Sequence, residues 1–480
     1  MDKGINKIVL LIATIAGFGG FLFGFDSSVV ANIQDQVMQQ LSLTTWQWSK
    51  VVSFSLLGAI LGIPLSGFIA DRLSRRSLLK LVAIGFILGT ALCVQANDLT
   101  SLLCGRFLIG VCIGVGSYIA PLFIAEIAPP QKRGALILIN GLAITFGQAV
   151  AYLVGYFFHD ISPSSWRLIV GMGIFPALAL FIGMFFVPHA PGWLIKRYGE
   201  EKTLKTLKRI RSQDADIHNE LNELLASTQH NPFTNKKLLL KPMILSVLLV
   251  GIGLGIFQQF SGINAILYYG PVIFESAGFF PIRSAILATF WIGLLNFLFT
   301  AVTFICVDKL GRRALLLGGT LLAALSLFVV SLLFQLHLPF QRFGILIGLS
   351  FFIFGYCVSV GSLFWVLISE IFPLQIRGMA MSIATVVQWG ANFLVSISFL
   401  QIYQNYGETL TFSLFALICL LAFLFTYYFV PETSGIPLER IEKNLAAGNK
   451  IRDIGQVIPK RKLFNFQFGR WSNHSATHFD

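Results

Sequence analysis

Runs of roughly twenty mostly apolar residues alternate along the chain with short charged stretches, each run long enough as a helix to cross a hydrocarbon core about 30 Å thick. The predicted spans fall near 8–30, 50–70, 78–96, 101–125, 135–157 and 167–187, then near 242–269, 284–307, 314–335, 343–367, 378–400 and 410–430. Between the two sets lies the polar stretch Pro188–Lys241, which contains KTLKTLKRIRSQDADIHNELNELL. Its leucine spacing and charge predict short amphipathic helices on the membrane surface. The pattern reads as an all-α membrane protein of twelve transmembrane helices. Its parts are a six-helix bundle (1–187), a cytoplasmic linker (188–241), a second six-helix bundle (242–430) and a cytoplasmic tail (431–480).

Composition agrees with this reading. The chain is 55% hydrophobic and 12% charged, against about 25% charged in soluble proteins, and its mean hydropathy is +0.76. The six cysteines, Cys93, Cys104, Cys112, Cys306, Cys357 and Cys419, all sit in apolar runs without metal-ligand or loop-framework spacing and read as small packing residues. The first run contains Asp26 and lacks a clear cleavage site, so no removable signal peptide is expected.

The net charge of +13 is a matter of topology. With an even number of spans both termini face one side, and that side holds thirty of the 35 Lys and Arg residues. Lys50, Arg167, Arg283 and Arg342 lie opposite, and Arg106 falls within a span. The excess places both termini in the cytoplasm by the positive-inside rule and argues against nucleic acid as a partner.

The two sets repeat one another. DRLSRR at Asp71–Arg76 returns as DKLGRR at Asp308–Arg313, and AEIAPPQKRG at Ala125–Gly134 returns as SEIFPLQIRG at Ser369–Gly378. Two motif pairs in one order, at nearly one offset, mark homologous halves, the plan of transporters that bind substrate between repeats. Each motif sets acids among arginines: Asp71, Arg75, Arg76, Glu126 and Arg133, then Asp308, Arg312, Arg313, Glu370 and Arg377. Topological anchoring explains the arginines but not the acids. Interhelical ion pairs that close the cytoplasmic side in one state explain both.

Taken with GGFLFGFD in span 1, GRFLIGVCIG, GQAVAYLVG, QQFSGINAILYYG and PETSG, these motifs resemble the sugar porter family of the major facilitator superfamily over about residues 8–441. The likeness is closest to proton-coupled bacterial members that carry pentoses or hexoses. It implies the major facilitator fold and a multi-pass protein of the cell membrane, the inner membrane in a Gram-negative cell. Two departures, PHAPGWL after span 6 and Ser74 in place of a motif glycine, touch the cytoplasmic latch and leave the sugar-site motifs intact.

A sugar offers hydroxyls that donate and accept, together with apolar C–H faces. Neutral amides match the hydroxyls without the burial cost of a charge, and aromatic rings cover the faces. The apolar spans hold Gln148, Gln258, Gln259, Asn264, Gln388 and Asn392 as amides, with Trp365 and Trp389 as rings. Gln388 and Asn392 share a helix face. Gln258, Gln259 and Asn264 do not, and converge only if the helix is interrupted near Ser261–Gly262. Amides also serve as plain helix–helix glue. The resemblance matches Gln148, Gln258, Gln259, Asn264, Trp365 and Gln388 to sugar-binding positions. It matches Phe23, Tyr268, Gly361 and Asn392 to secondary contacts, with Tyr269 and Asn296 as weaker matches.

Asp26 stands in a span where an unpaired charge costs about 2.5–3.5 kcal/mol on insertion scales. Arg106 is its natural partner. Gly110 and Gly114 continue a smooth stripe from Arg106, and Gly17, Gly20 and Gly24 make another, so both helices admit a close neighbour. Burial favours a neutral acid and a nearby guanidinium favours the charged form. A conformational change that wets Asp26 or parts it from Arg106 therefore alters its hold on a proton. The resemblance points the same way, because its proton symporters carry an aspartate here and its passive facilitators typically an asparagine. A static ion pair is the plainer alternative.

The expectation is a secondary active transporter that imports a monosaccharide with a proton by alternating access. A passive facilitator would share the sugar site and lack the coupling. A non-transporting sugar receptor would carry a longer cytoplasmic extension than this tail. No metal cluster, nucleophile triad or phosphate loop marks an enzyme, and no cofactor is implied. The expected partners are a monosaccharide, a proton and the lipid bilayer, with each chain functional as a monomer.

Overall fold

Lipid offers no partner for backbone N–H and C=O groups, so an apolar chain in a bilayer must satisfy them within helices. The computed structural model describes residues 7–70, 72–129, 132–211, 217–229, 242–373, 376–436, 438–447 and 451–454, some side chains excepted, among them those of 305–309. Its long elements are all helical. The first set comprises α1 (Lys7–Val29), short α2 (Gln34–Gln40), α3 (Thr45–Ala70), α4 (Arg75–Val94), α5 (Leu99–Ile127), α6 (Arg133–Phe158), and an interrupted crossing of α7 (Ser165–Gly171) and α8 (Ile174–Phe186). After α9 (Pro191–Tyr198), α10 (Glu200–Ile210) and α11 (Ile217–Gln229) comes the second set. It contains α12 (Pro242–Phe260) and α13 (Ile263–Ser276), α14 (Ile282–Leu310), α15 (Arg312–Leu336), α16 (Gln341–Tyr356) and α17 (Ser362–Ile371), α18 (Arg377–Phe429), and short α19 (Leu438–Ala446).

Eleven apolar helical stretches among the described residues are long enough to span a membrane. The last, α18, is 53 residues long and breaks at Gly407, where φ is 81°. Phe399 and Phe415 would stand about 24 Å apart along a straight helix, yet their rings stack with centroids 6.1 Å apart. The chain therefore doubles back at Gly407, and the crossings number twelve. Helices α1, α3, α4, α5, α6 and α8 pack among themselves, as do α12, α15, α16 and α18, and α6–α14 and α3–α18 join the two sets.

The departure at Ser74 has a local cause. Ser74 lies in the extended region and its hydroxyl accepts from the Ser77 N–H at 3.1 Å, capping α4. Gly311, the counterpart before α15, has a φ of 82°, where a side chain is strained. The orphan N–H groups of Arg312 and Arg313 there donate instead to the Glu432 carboxylate, both at 3.0 Å. Each half caps the same helix start by different chemistry.

The stretch between the sets forms α9, α10 and α11, and it is anchored to the first set. Leu207 and Ile210 are fully buried, and Arg211 donates to the Ile127 carbonyl at the end of α5 at 2.6 Å while pairing with Glu220. Helix α19 likewise buries Ile441 and Leu445 in a cluster with Ile371 and Phe372 of the second set. The KRKLFNFQFGRW stretch lies outside the described residues.

Candidate functional site

Asp26 and Arg106 are 3% and 5% exposed. The Arg106 Nη1 donates to Asp26 Oδ1 at 2.5 Å. Its Nη2 donates to Ser55 Oγ at 2.8 Å and its Nε to the Val51 carbonyl at 3.3 Å. The guanidinium thus meets α1 and α3 from α5 with all its faces engaged, which offsets the burial of both charges. The glycine stripes serve other neighbours than this pair. A Cβ on Gly20 or Gly24 would strike Asn140 or Ile144 of α6, and one on Gly110 or Gly114 would strike Ser55 or Ala59 of α3. The stripes clamp α1 to α6 and α5 to α3, and Arg106 reaches Asp26 from within that frame. Nothing in the sequence marks Ser55, since a serine in a span usually bonds its own preceding turn; Ser55 does this too, donating to the Val52 carbonyl at 3.3 Å while accepting from Arg106.

The second-set amides are linked. Helix α12 ends at Phe260, and Gly262 takes φ 89° before α13 begins. Across that break Asn264 Nδ2 donates to Gln259 Oε1 at 2.6 Å, Gln259 Nε2 to Gln258 Oε1 at 3.3 Å, and Gln388 Nε2 to the same oxygen at 3.0 Å. The interruption brings the three span-7 amides together, and α18 supplies the fourth. Gln258 Nε2 is anchored by the carbonyls of Val360 and Gly361, both at 3.0 Å. Those carbonyls lie in a π turn, Cys357–Gly361, where regular helix bonding lapses. Gln388 Oε1 is buried with no hydrogen-bond partner, and a buried acceptor without one needs an explanation.

Gln148 stands apart from this chain of amides and accepts from Asn296 Nδ2 of α14 at 2.9 Å, bridging the two sets. Asn392 Nδ2 donates to the Tyr268 hydroxyl at 3.3 Å. Trp389 packs on Phe23 of α1 with centroids 5.3 Å apart. Trp365 is 46% exposed and meets the Phe364 edge instead of an amide. Tyr269 turns away, donating to the Ser396 carbonyl at 2.9 Å and stacking on Phe399. A cavity of about 10 Å³, the size of one water, lies beside the ion pair and is lined by Asp26, Arg106, Ser55, Phe23, Tyr268 and Trp389.

Several contacts between the sets lie toward the outer face. Ser49 donates to Gln401 at 3.4 Å, Tyr152 to the Leu267 carbonyl at 2.5 Å, and Arg283 lies over Tyr156. At the cytoplasmic ends the described ion pairs stay within one set: Arg75 with Glu126 at 3.0 Å, and Arg312 with Glu370 at 3.2 Å. Both are interhelical, joining α4 to α5 and α15 to α17. Arg76 caps the Met184 and Phe185 carbonyls, Arg313 the Tyr427 carbonyl and Arg377 the Phe372 carbonyl. Arg133 is exposed. Asp71 and the Asp308 side chain lie outside the described residues. Around Glu370 the second half is the richer, with Thr433 donating to it and Arg312 also bonding Ser434. In the first half His189 occupies the position of Glu432. Burial, with Arg76 and Lys80 nearby, pushes its imidazole below the ordinary value.

Residues 12–445 match the family model described as "Sugar (and other) transporter". The galactose-proton symporter of Escherichia coli K12 is 34% identical over 456 residues, covering 95% of this chain and 97% of its own. The glucose transporter GlcP of Staphylococcus epidermidis is 35% identical over 443 residues, covering 92% and 97%. The inward-open structure of the xylose transporter XylE from E. coli aligns with a TM-score of 0.80 at 29% identity, covering 91% of this chain and 99% of that one.

Proposed function

Since this chain belongs to the sugar transporter family and is a multi-pass membrane protein, not an enzyme, we propose that it imports a pentose or hexose together with a proton by alternating access. The observation that supports this most is one adjacency. The cavity beside the buried Asp26–Arg106 pair is lined by Tyr268, which bonds the Asn392 amide, and by Trp389, the chain neighbour of Gln388 with its unsatisfied acceptor. Gln258, Gln259, Asn264, Gln388 and Asn392 bind the sugar hydroxyls in this reading. Gln148 joins them from the first set, Trp389 and Phe23 cover an apolar sugar face, and Trp365 swings in as the cavity closes.

The two six-helix halves, 1–187 and 242–430, rock about this site. Contacts between the sets toward the outer face support an inward-facing arrangement. In the opposite state the cytoplasmic acids and arginines draw the halves together. Asp26 carries the proton: while it is neutral Arg106 is released from its strongest partner, and the loaded carrier turns. A 100 mV inside-negative potential supplies about 2.3 kcal/mol per proton and one pH unit about 1.4. Together they allow several-hundredfold accumulation, on the scale of a tenfold ratio per 1.4 kcal/mol. Each chain works as a monomer in the bilayer.

The test is uptake into liposomes of radiolabelled xylose, glucose, galactose and arabinose, with an inward proton gradient and then with a protonophore. Accumulation above equilibrium that the protonophore abolishes supports symport and names the sugar. Equilibration indifferent to the gradient makes the protein a facilitator.

A further inference from the structure

Among the described residues the ion pair and the amide chain share no hydrogen bond. One side chain touches both. Tyr268 of α13 is 2% exposed. Its hydroxyl accepts from Asn392 on one side and lines the cavity with Asp26 and Arg106 on the other, alongside the Ser27 hydroxyl. The position is made by the interruption at Gly262, which restarts the helix before Tyr268, and by Gly270, where a Cβ would strike Thr289 of α14. Among the described residues, Arg106 of α5, Cys93 of α4 and Tyr268 itself are the titratable groups near the pair, and Tyr152 of α6, Tyr269 of α13 and Tyr356 of α16 stand near Tyr268.

We propose that Tyr268 is the positioning residue that links sugar binding to protonation of Asp26. The proposal rests on the symport reading above. A phenol oxygen has limited acceptor capacity, and here Asn392 occupies it. When a sugar hydroxyl draws the Asn392 amide to itself, that oxygen becomes free to accept from the O–H of a neutral Asp26 across the water-sized space. Sugar binding thereby favours the protonated acid. By reciprocity, protonation favours sugar to the same degree. The sign is that required for symport, in which neither ligand alone turns the carrier.

The test measures KM for sugar exchange in liposomes at about pH 6 and about pH 8, a range that buried carboxyls can reach, with the best transported of the four sugars above as probe. The wild-type protein should show a KM at least about fivefold lower in acid, the low end of typical couplings between sites. Tyr268→Phe keeps the ring and removes the hydroxyl. Its two KM values should converge, whatever their common level. A KM raised equally at both pH values, with the wild-type ratio kept, overturns the proposal and leaves Tyr268 as a plain sugar contact. A wild-type KM independent of pH overturns the symport reading itself, so the two failures are distinct. The infrared difference spectrum on adding sugar gives a second readout on purified protein. The carboxyl band that Asp26→Asn removes should also be missing in Tyr268→Phe, and its persistence there counts against the link.

Discussion

Replacing Arg106 by methionine separates a compensated charge pair from a pair of merely neighbouring residues. In the structure Arg106 holds Asp26 at 2.5 Å, Ser55 at 2.8 Å and the Val51 carbonyl at 3.3 Å. Removing one partner of a buried ion pair costs about 3–5 kcal/mol, because the other charge is stranded. Loss of the two further hydrogen bonds adds about 1 kcal/mol each. Arg106→Met should therefore destabilise the protein by about 5–7 kcal/mol on these figures. The double variant Arg106→Met with Asp26→Asn strands no charge and should lose only about 2–3 kcal/mol. The assay is reversible unfolding in mixed detergent with increasing dodecyl sulfate. The double variant should be the more stable of the two, and the single variant should regain stability in acid, where a protonated Asp26 leaves nothing stranded. If the double variant is as unstable as the single, or worse, Asp26 bears no compensated charge and the coupling mechanism loses its physical basis.

Gln388→Leu removes the unpartnered acceptor and one amide hydrogen bond, so the KM for sugar should rise about tenfold, equivalent to one hydrogen bond of about 1.4 kcal/mol. An unchanged KM would reduce the amide chain to helix glue. His189 tests the first-half cytoplasmic end. Its folded value is depressed, by burial first and then by Arg76 and Lys80, so between the two values the unfolded chain binds more protons. Its contribution to stability is present above the unfolded value of about 6.5 and is lost as pH falls through and below it. His189→Asn should flatten the drop in melting temperature between about pH 7.5 and pH 5.5, a window set by that value. Equal drops in both proteins would show that His189 does not carry it.

The spans were legible because lipid leaves an apolar chain no alternative to helix, and the halves because two motif pairs recur in order. Partners were less so. Gly20 and Gly110 announce close packing, yet nothing in a stripe says which helix presses on it, α6 on the first and α3 on the second. The Gln258–Gln259–Asn264 cluster could be read only through Gly262, whose positive φ breaks the helix. The π turn at Cys357–Gly361 left no comparable mark, since CVSVG is ordinary span sequence, yet its carbonyls anchor Gln258. Nothing in PETSG marks Glu432 as the cap of α15, because capping across 120 residues of chain is decided by tertiary packing.

The account stands most directly on Asp26. In liposomes with an inward proton gradient, Asp26→Asn should fail to concentrate sugar above equilibrium while still exchanging labelled for unlabelled sugar across the membrane. Uphill accumulation by that variant, at the wild-type level, would contradict the assignment and leave Asp26 as the structural partner of Arg106.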